Sequence, residues 1–573
     1  MDISKFTSAT SEEETISILC YFNEKFASPS FNDAGKFEMS ESQFFDTWHK
    51  LLFWLGSRGS EEAACTYLNT LRILSRDRNL MNQVVTEQDL GLLMEYAGLP
   101  EPGLEAVLLQ HKAATEACLC LSNIIYQSNT AQSICCSPHY VKKTLQRLQQ
   151  QDLPHSLIVG YTRLMFLMTA LVPQNRKVAA LEYNALPVML PLISAQASVN
   201  ADNTSNPPPT MQREAGERVV EVLKLCYNLC VGLSSPYSSA GDGGGGSLKM
   251  AMVVDSSVSS EHEQHMRCLV DRVRQLLLAT AHTHQHTQIM HSHCINVLVC
   301  VPTTALAALT PPYSSSGSWW GGASQRRKPA VFKDADMSAL VQILSFLHAR
   351  LNAGEAQSSE NLTPVLTMLV TVCQSSSKVR QFVRQRVLPP LKDVTHRPEE
   401  GNSLRGRLVK LMTSPVMELK HLSATLLFVL CKQSVERLIK YSGYGNCAGL
   451  LASLGLLAGG ELSTETHEQS ESEDSDTEEY HRVRHMVNPV TGCYEPVRPN
   501  PMENMSEEQK EYEAIKLVNT LDKLIRSGDI KPCGVGADGK PQPLEHVMQL
   551  QDSACFTRAS TDPQPDDQHS DSD

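Results

Sequence analysis

Aromatic residues are scarce in this chain: Phe, Trp and Tyr make up 6% of 573 residues, although hydrophobic residues reach 41%. Leu, Val, Ala, Met and Cys therefore do the burying. That argues against a β-sandwich, where aromatic and β-branched residues dominate, and suits helices stacked on helices. Long apolar runs are missing too. The most apolar stretch, Cys447 to Gly460, is too short and too Gly-rich to span a bilayer. The first residues, MDISKFTSATSEEE, have no basic start and no apolar core, so they do not read as a secretory signal. Positive charge does not dominate either. The formal net charge of −13 argues against nucleic acid as the main partner. The 17 cysteines are an odd number, and many sit inside apolar helical runs (Cys118, Cys120, Cys226, Cys230, Cys373, Cys431). Buried reduced thiols of a cytoplasmic protein are the plain reading.

What the sequence does have is repetition. Apolar runs with helical spacing recur over the first 440 or so residues, among them Cys65–Leu74, Ala117–Ile125, Leu164–Leu171, Val219–Cys230, Cys294–Val301, Leu362–Cys373 and Ala424–Cys431. No such helix buries its apolar stripe alone, but stacking makes a continuous core with a long concave surface. The expected fold is all-α, an armadillo/HEAT-type superhelix over residues 1–460. Insertions expected to be disordered interrupt it near 200–210, 234–260 and 311–329, where Pro, Gly and Ser gather. Three runs carry an Asn inside the apolar stretch: Asn123, Asn228 and Asn296. Each either ties one repeat to the next or lines the groove for a partner.

Beyond Gly460 the regime changes. Residues 461–505 read as an acidic, then Pro-punctuated linker, 506–528 as one amphipathic helix, and 529–573 as a disordered tail. The helix is well marked. Ser506 and Gln509 form a capping box, Glu507 and Glu508 suit its start, Lys523 and Arg526 its end, and Gly528 stops it. Its stripe of Ala514, Leu517, Val518, Leu521, Leu524 and Ile525 must be buried either on the repeats or on a partner.

Several tempting motifs fail on context. Gly534, Gly536, Gly539 and Lys540 match a nucleotide-binding glycine loop, yet prolines at 532, 541 and 543 leave no helix N-terminus to cradle phosphate. The histidines at 282, 284, 286, 291 and 293, beside Cys294, match no closed four-ligand zinc spacing. No nucleophile elbow, HExxH helix or paired-carboxylate site stands out, so no catalytic residue, metal or cofactor is expected.

Charge is more telling. Nine basic residues lie between Lys378 and Lys410, including Arg380 and Arg384, against three acids. The segment from Ser470 to Glu479 sets Ser and Thr among acids, the pattern that kinases of the casein kinase 2 type select. A phosphorylated tail docked on the basic repeats would follow from those charges.

At this point the chain resembles the synembryn family (resistance to inhibitors of cholinesterase). The resemblance is strongest from about Asn361 to Val535. It rests on the run from Arg386 through Pro389 and Pro390 to Val394, on Lys440 to Leu451 with Gly455–Gly460, and on Asp474–Tyr480. It continues in Asn488–Gly492 and Pro499–Lys510, with a shorter match at Leu71–Asn79. The resemblance implies a partner, a heterotrimeric G-protein α subunit (Gα). The scaffold would assist its folding and release GDP from the free subunit, with the concave face and the segment after the repeats making contact. It also implies phosphorylation at Ser472 and Thr477, with Arg380 facing the phosphate; Gln381 stands where the family pattern has Lys. The A-type, favouring inhibitory, q-type and 12/13-type Gα, is the nearer likeness. A monomer in the cytoplasm, recruited to the membrane cortex, fits that role. The alternative is an armadillo adaptor of the importin or catenin type gripping an extended peptide. An importin-like groove would place Trp four residues before each Asn, where this chain has Leu119, Lys224 and Ser292.

Overall fold

Ser, Thr and Asp residues set where the helices begin. Ser40, Ser60, Asp77, Thr86, Ser128, Ser259, Thr283, Ser376, Ser403, Ser434, Thr477 and Ser506 each accept a hydrogen bond from a backbone N–H of the turn that follows. These bonds satisfy donors that a helix start leaves orphaned. The computed structural model describes residues 6, 12–27, 39–57, 59–103, 111–193, 211–235, 253–254, 259–313, 329–352, 359–457, 477–496, 502–503, 505–536 and 539–544. The 200–210 insertion, most of 234–260 and 311–329, the acidic stretch to residue 476 with Ser472, and the last 29 residues lie outside them.

The chain divides into two compact units, with the division after Phe346 falling inside the 1–460 array expected from sequence. A repeat array permits such a break, because each repeat touches only its neighbours. The first unit opens with α1 (Glu12–Lys25), α2 (Glu41–Gly56), α3 (Glu61–Leu74), α4 (Arg78–Val84), α5 (Glu87–Tyr96) and α6 (His111–Gln127). It continues through α7 (Asn129–Cys135), α8 (Pro138–Leu148), α9 (His155–Leu171), α10 (Gln174–Lys177), α11 (Leu186–Leu192) and α12 (Arg213–Leu233). Next come the paired strands β1 (Ser234–Ser235) and β2 (Val253–Val254), then α13 (Ser260–Leu278), α14 (His284–Val299) and α15 (Thr303–Leu306). The hairpin of β3 (Val331–Phe332) and β4 (Ala335–Asp336) leads to α16 (Ser338–Asn352), within which the first unit ends.

The packing is periodic. The helices α3, α6, α9, α12 and α14 form a ladder, each packed on the next, while α5, α8, α11 and α13 form a second layer against α6, α9, α12 and α14. This is the two-layer repeat that the recurring apolar runs predict. Its core is aliphatic and thiol-rich, with Leu121, Leu164, Leu223, Leu229, Cys118 and Cys226 fully buried. Burial pushes the Cys120 thiol up to about 12, as for a packing residue rather than a reactive one.

The second unit holds α17 (Ser359–Ser375), α18 (Ser377–Val387), α19 (Leu404–Leu411), α20 (Met417–Leu430), α21 (Val435–Ser442) and α22 (Tyr444–Leu454). Here α20 is the centre, touching α17, α18, α19, α21 and α22. Two stretches read from sequence as linker and tail are folded. Residues 477–496 form α23 (Glu478–Val483) and a hairpin of β5 (Val487–Asn488) and β6 (Cys493–Tyr494); α24 (Glu507–Arg526) follows, then a hairpin of β7 (Cys533–Val535) and β8 (Pro541–Pro543). These strands are only two or three residues long and hold through turn chemistry and side-chain bonds, which hydropathy does not register. No helix among the described residues is long and apolar enough to cross a membrane.

Candidate partner-binding site

The helix α24 has every local reason to form. Ser506 accepts from the Gln509 N–H at 3.2 Å, and the Gln509 side chain accepts from the Ser506 N–H at 3.1 Å. Lys510–Glu507, Lys516–Glu513 and Arg526–Asp522 pairs form along the helix at 2.8, 3.4 and 3.0 Å. Pairs of this kind stabilise a helix by a few tenths of a kcal/mol each. Yet no residue of α24 is buried. Leu517 and Val518 are 61% and 64% exposed, Leu521 and Ile525 are also exposed, and Leu524 is half-buried. Ile515, which the sequence reading did not include, is exposed as well and widens the apolar face. A helix of about 30 Å thus carries a continuous apolar face that none of the described residues covers.

The segment before α24 is clasped to the second unit. Thr477 caps α23 by accepting from the Tyr480 N–H, and its hydroxyl donates to the Leu391 carbonyl. Tyr480 is buried, with the Lys440 ammonium 5.0 Å from its ring centroid. Within the β5–β6 loop, Asn488 and Thr491 both donate to the Glu495 carboxylate, at 2.9 and 3.0 Å. The Tyr494 N–H donates to the Val394 carbonyl at 2.6 Å.

The three basic residues read as phosphate-docking all lie on α18. Lys378 is exposed, Arg380 is half-buried and donates to the Cys373 carbonyl at 3.4 Å, and Arg384 is buried at 6% exposure.

The ladder asparagines show a repeated geometry. The Asn123 amide on α6 donates to the Arg72 carbonyl (3.2 Å) and the Ser75 hydroxyl (3.1 Å) at the end of α3. The Asn228 amide on α12 donates to the Phe166 carbonyl (3.2 Å) and the Thr169 hydroxyl (2.9 Å) on α9. In both cases the hydroxyl lies three residues after the carbonyl. Seven residues before each Asn stands a Glu paired to an Arg of the preceding ladder helix, Glu116 with Arg72 at 2.7 Å and Glu221 with Arg163 at 2.8 Å. Burial alone would raise the Glu221 carboxyl, but Arg163 and Lys224 together hold it below its ordinary value. Asn123 is half-buried and Asn228 is buried. Asn296 sits at the matching place on α14, half-buried.

The tempting motifs take ordinary roles. Gly534 and Lys540 flank the turn of the β7–β8 hairpin, in which β7 pairs antiparallel with β8. The His282 and His286 rings stack at 4.0 Å, and buried His291 lies 3.3 Å from the Ala279 carbonyl through Nε2. No group of three or more metal-ligating side chains occurs among the described residues.

Comparison with known proteins points one way. The sequence pattern of the family described as guanine nucleotide exchange factor synembryn matches residues 67–540. The chain is 36% identical over 502 residues to "Chaperone Ric-8A" of Gallus gallus, covering 84% of this chain and 85% of the relative. It is 36% identical over 510 residues to the protein of the same name from Danio rerio, covering 86% of each. Against "Chaperone Ric-8" of Drosophila pseudoobscura pseudoobscura it is 32% identical over 571 residues, covering 93% and 94%.

Proposed function

Because the chain belongs to the synembryn family of guanine nucleotide exchange factors, we propose that it binds G-protein α subunits, assists their folding and releases GDP from the free subunit. The observation that carries this reading is α24, a fully capped helix whose apolar face is exposed along its length. Burying Leu517 and Leu521 on a partner would contribute roughly 1.5–3 kcal/mol each. The relatives' names supply the chaperone role, and the likeness to the A-type implies a preference for the inhibitory, q-type and 12/13-type Gα classes. The protein would work in the cytoplasm and at the membrane cortex.

Linkage supplies the mechanism. A scaffold that binds nucleotide-free Gα more tightly than the GDP form lowers GDP affinity by the same factor. Magnesium and GTP then order the Gα switch segments and eject the scaffold. No side chain here breaks or makes a covalent bond. Groove residues near Asn123, Asn228 and Asn296 would meet one part of Gα and α24 another. Phosphorylation of Ser472 and Thr477 by an acidophilic kinase would tune the assembly, with Lys378, Arg380 and Arg384 as the basic counterpart. At Thr477 it would replace a hydroxyl that now donates to Leu391 with a dianion at a helix N-terminus.

The test is a pull-down against a panel of GDP-bound Gα subunits with GDP release followed in parallel. Capture of at least one A-type class with faster GDP release is expected. No capture across the panel would refute the reading.

A further inference from the structure

The glycine loop that fails as a nucleotide site has another use. It docks on the same helix that the β5–β6 loop holds, but at the opposite end. At the start of α22, the N–H groups of Tyr444 and Gly445 donate to the carbonyls of Pro489 (2.8 Å) and Val490 (2.9 Å). These are orphaned donors of a helix N-terminus, satisfied by loop carbonyls. Gly443 and Gly492, both at positive φ (75° and 70°), meet there face to face. A Cβ on Gly492 would lie 2.9 Å from the Pro398 ring and 3.1 Å from the Gly443 Cα.

At its other end α22 stops in Gly455, left-handed at φ 72°. Two residues on, the Leu457 N–H donates to the Gly539 carbonyl at 3.3 Å. Gly539 is buried, has φ +70°, and a Cβ there would lie 1.7 Å from the Gly455 carbonyl oxygen. Only a bare backbone fits. The hairpin closes on itself as well, with Gly536 N–H to the Lys540 carbonyl and Leu544 N–H to the Pro532 carbonyl, both at 2.9 Å.

The chain therefore leaves one end of α22, runs through α24 and returns to the other end. The 11 residues of α22 span roughly 16 Å and the 20 of α24 about 30 Å. The geometry points to a two-ended strap: Gly539 is the second anchor of α24 and a positioning residue for the partner-binding helix. This rests on the Gα reading above. A helix held at both ends has fewer orientations to lose on binding than one on a free tail, so its effective concentration at the partner is higher.

Hydrogen exchange on the full chain, followed by Gα affinity, tests this. In the free wild-type protein, the amides of Leu457, Gly536 and Leu544 should exchange slowly. In Gly539→Ala, Leu457 should lose protection while the α20 amides keep theirs, and Gα affinity should fall about tenfold with Leu517 and Leu521 in place. Cys533→Ser, at an exposed residue on β7, should change neither. The exchange arm needs no Gα, so it reads the anchor even where the binding reading fails. Wild-type amides at 457, 536 and 544 exchanging like an unfolded peptide would overturn the proposal, whether or not the variant folds. So would a released hairpin with unchanged Gα affinity, which leaves Gα binding itself intact.

Discussion

The helices α2 and α24 begin with the same local device and end with opposite fates. Each has a Ser–Gln capping box, Ser40 with Gln43 and Ser506 with Gln509, ahead of an amphipathic run. From there α2 buries Phe44, Trp48, Leu51, Leu52 and Leu55, while α24 buries nothing. Caps and periodicity decide that a helix forms and which face is apolar. They do not decide what covers that face. In α2 the covering elements are α3, α4 and α5, its neighbours in the array. An isolated helix gains little in water without such cover, which is why we propose that a partner completes α24.

The contrast is sharpest if the two helices are broken in turn. Trp48→Ala in α2 should cost about 3–5 kcal/mol of unfolding free energy, the usual loss for emptying a large core position, read by denaturant titration of the free protein. The ladder has a smaller weak point in His293 on α14, whose imidazole is pushed down to about 4, first by burial and then by Lys224. Its folded pKa lies below its unfolded one, so between roughly pH 6.5 and 4 the unfolded chain binds the extra proton. Stability present at pH 7 is then lost as pH falls, by about 2 kcal/mol between pH 7 and 5. His293→Gln should flatten that part of the profile in thermal melts. The ties between ladder helices come next. Asn228→Ala removes the amide's bonds to the Phe166 carbonyl and the Thr169 hydroxyl and should cost about 1–2 kcal/mol, whereas Asn296→Ala, which breaks neither of those contacts, should stay within about 0.5 kcal/mol. Equal losses at both positions would show that the tie is not what Asn228 contributes.

Much of the array was legible in the sequence, for reasons those residues make plain. Helix starts follow from Ser, Thr and Asp placement, and the ladder follows from apolar runs that recur with an internal Asn. The face of α24 was legible too, but its occupant was not, because a stripe such as Leu517–Leu521 reads identically whether it folds back or waits. The two hairpins were invisible. Asn488–Gly492 and Gly534–Lys540 are rich in the Gly, Pro and Asn of linkers, and what makes them structure is close contact with Gly443 and Gly455, distant in sequence. Burial of Arg384 was equally hidden, since a charge run reads as a solvated face unless its tertiary surroundings are known.

The central claim is that α24 serves binding and not the fold. Leu517→Lys with Leu521→Lys tests it most directly, with thermal midpoint and Gα affinity measured on the same preparation. The account predicts a midpoint unchanged from wild type and an affinity lower by on the order of a hundredfold, since each 1.4 kcal/mol is tenfold. A large drop in the midpoint with Gα affinity intact would contradict it.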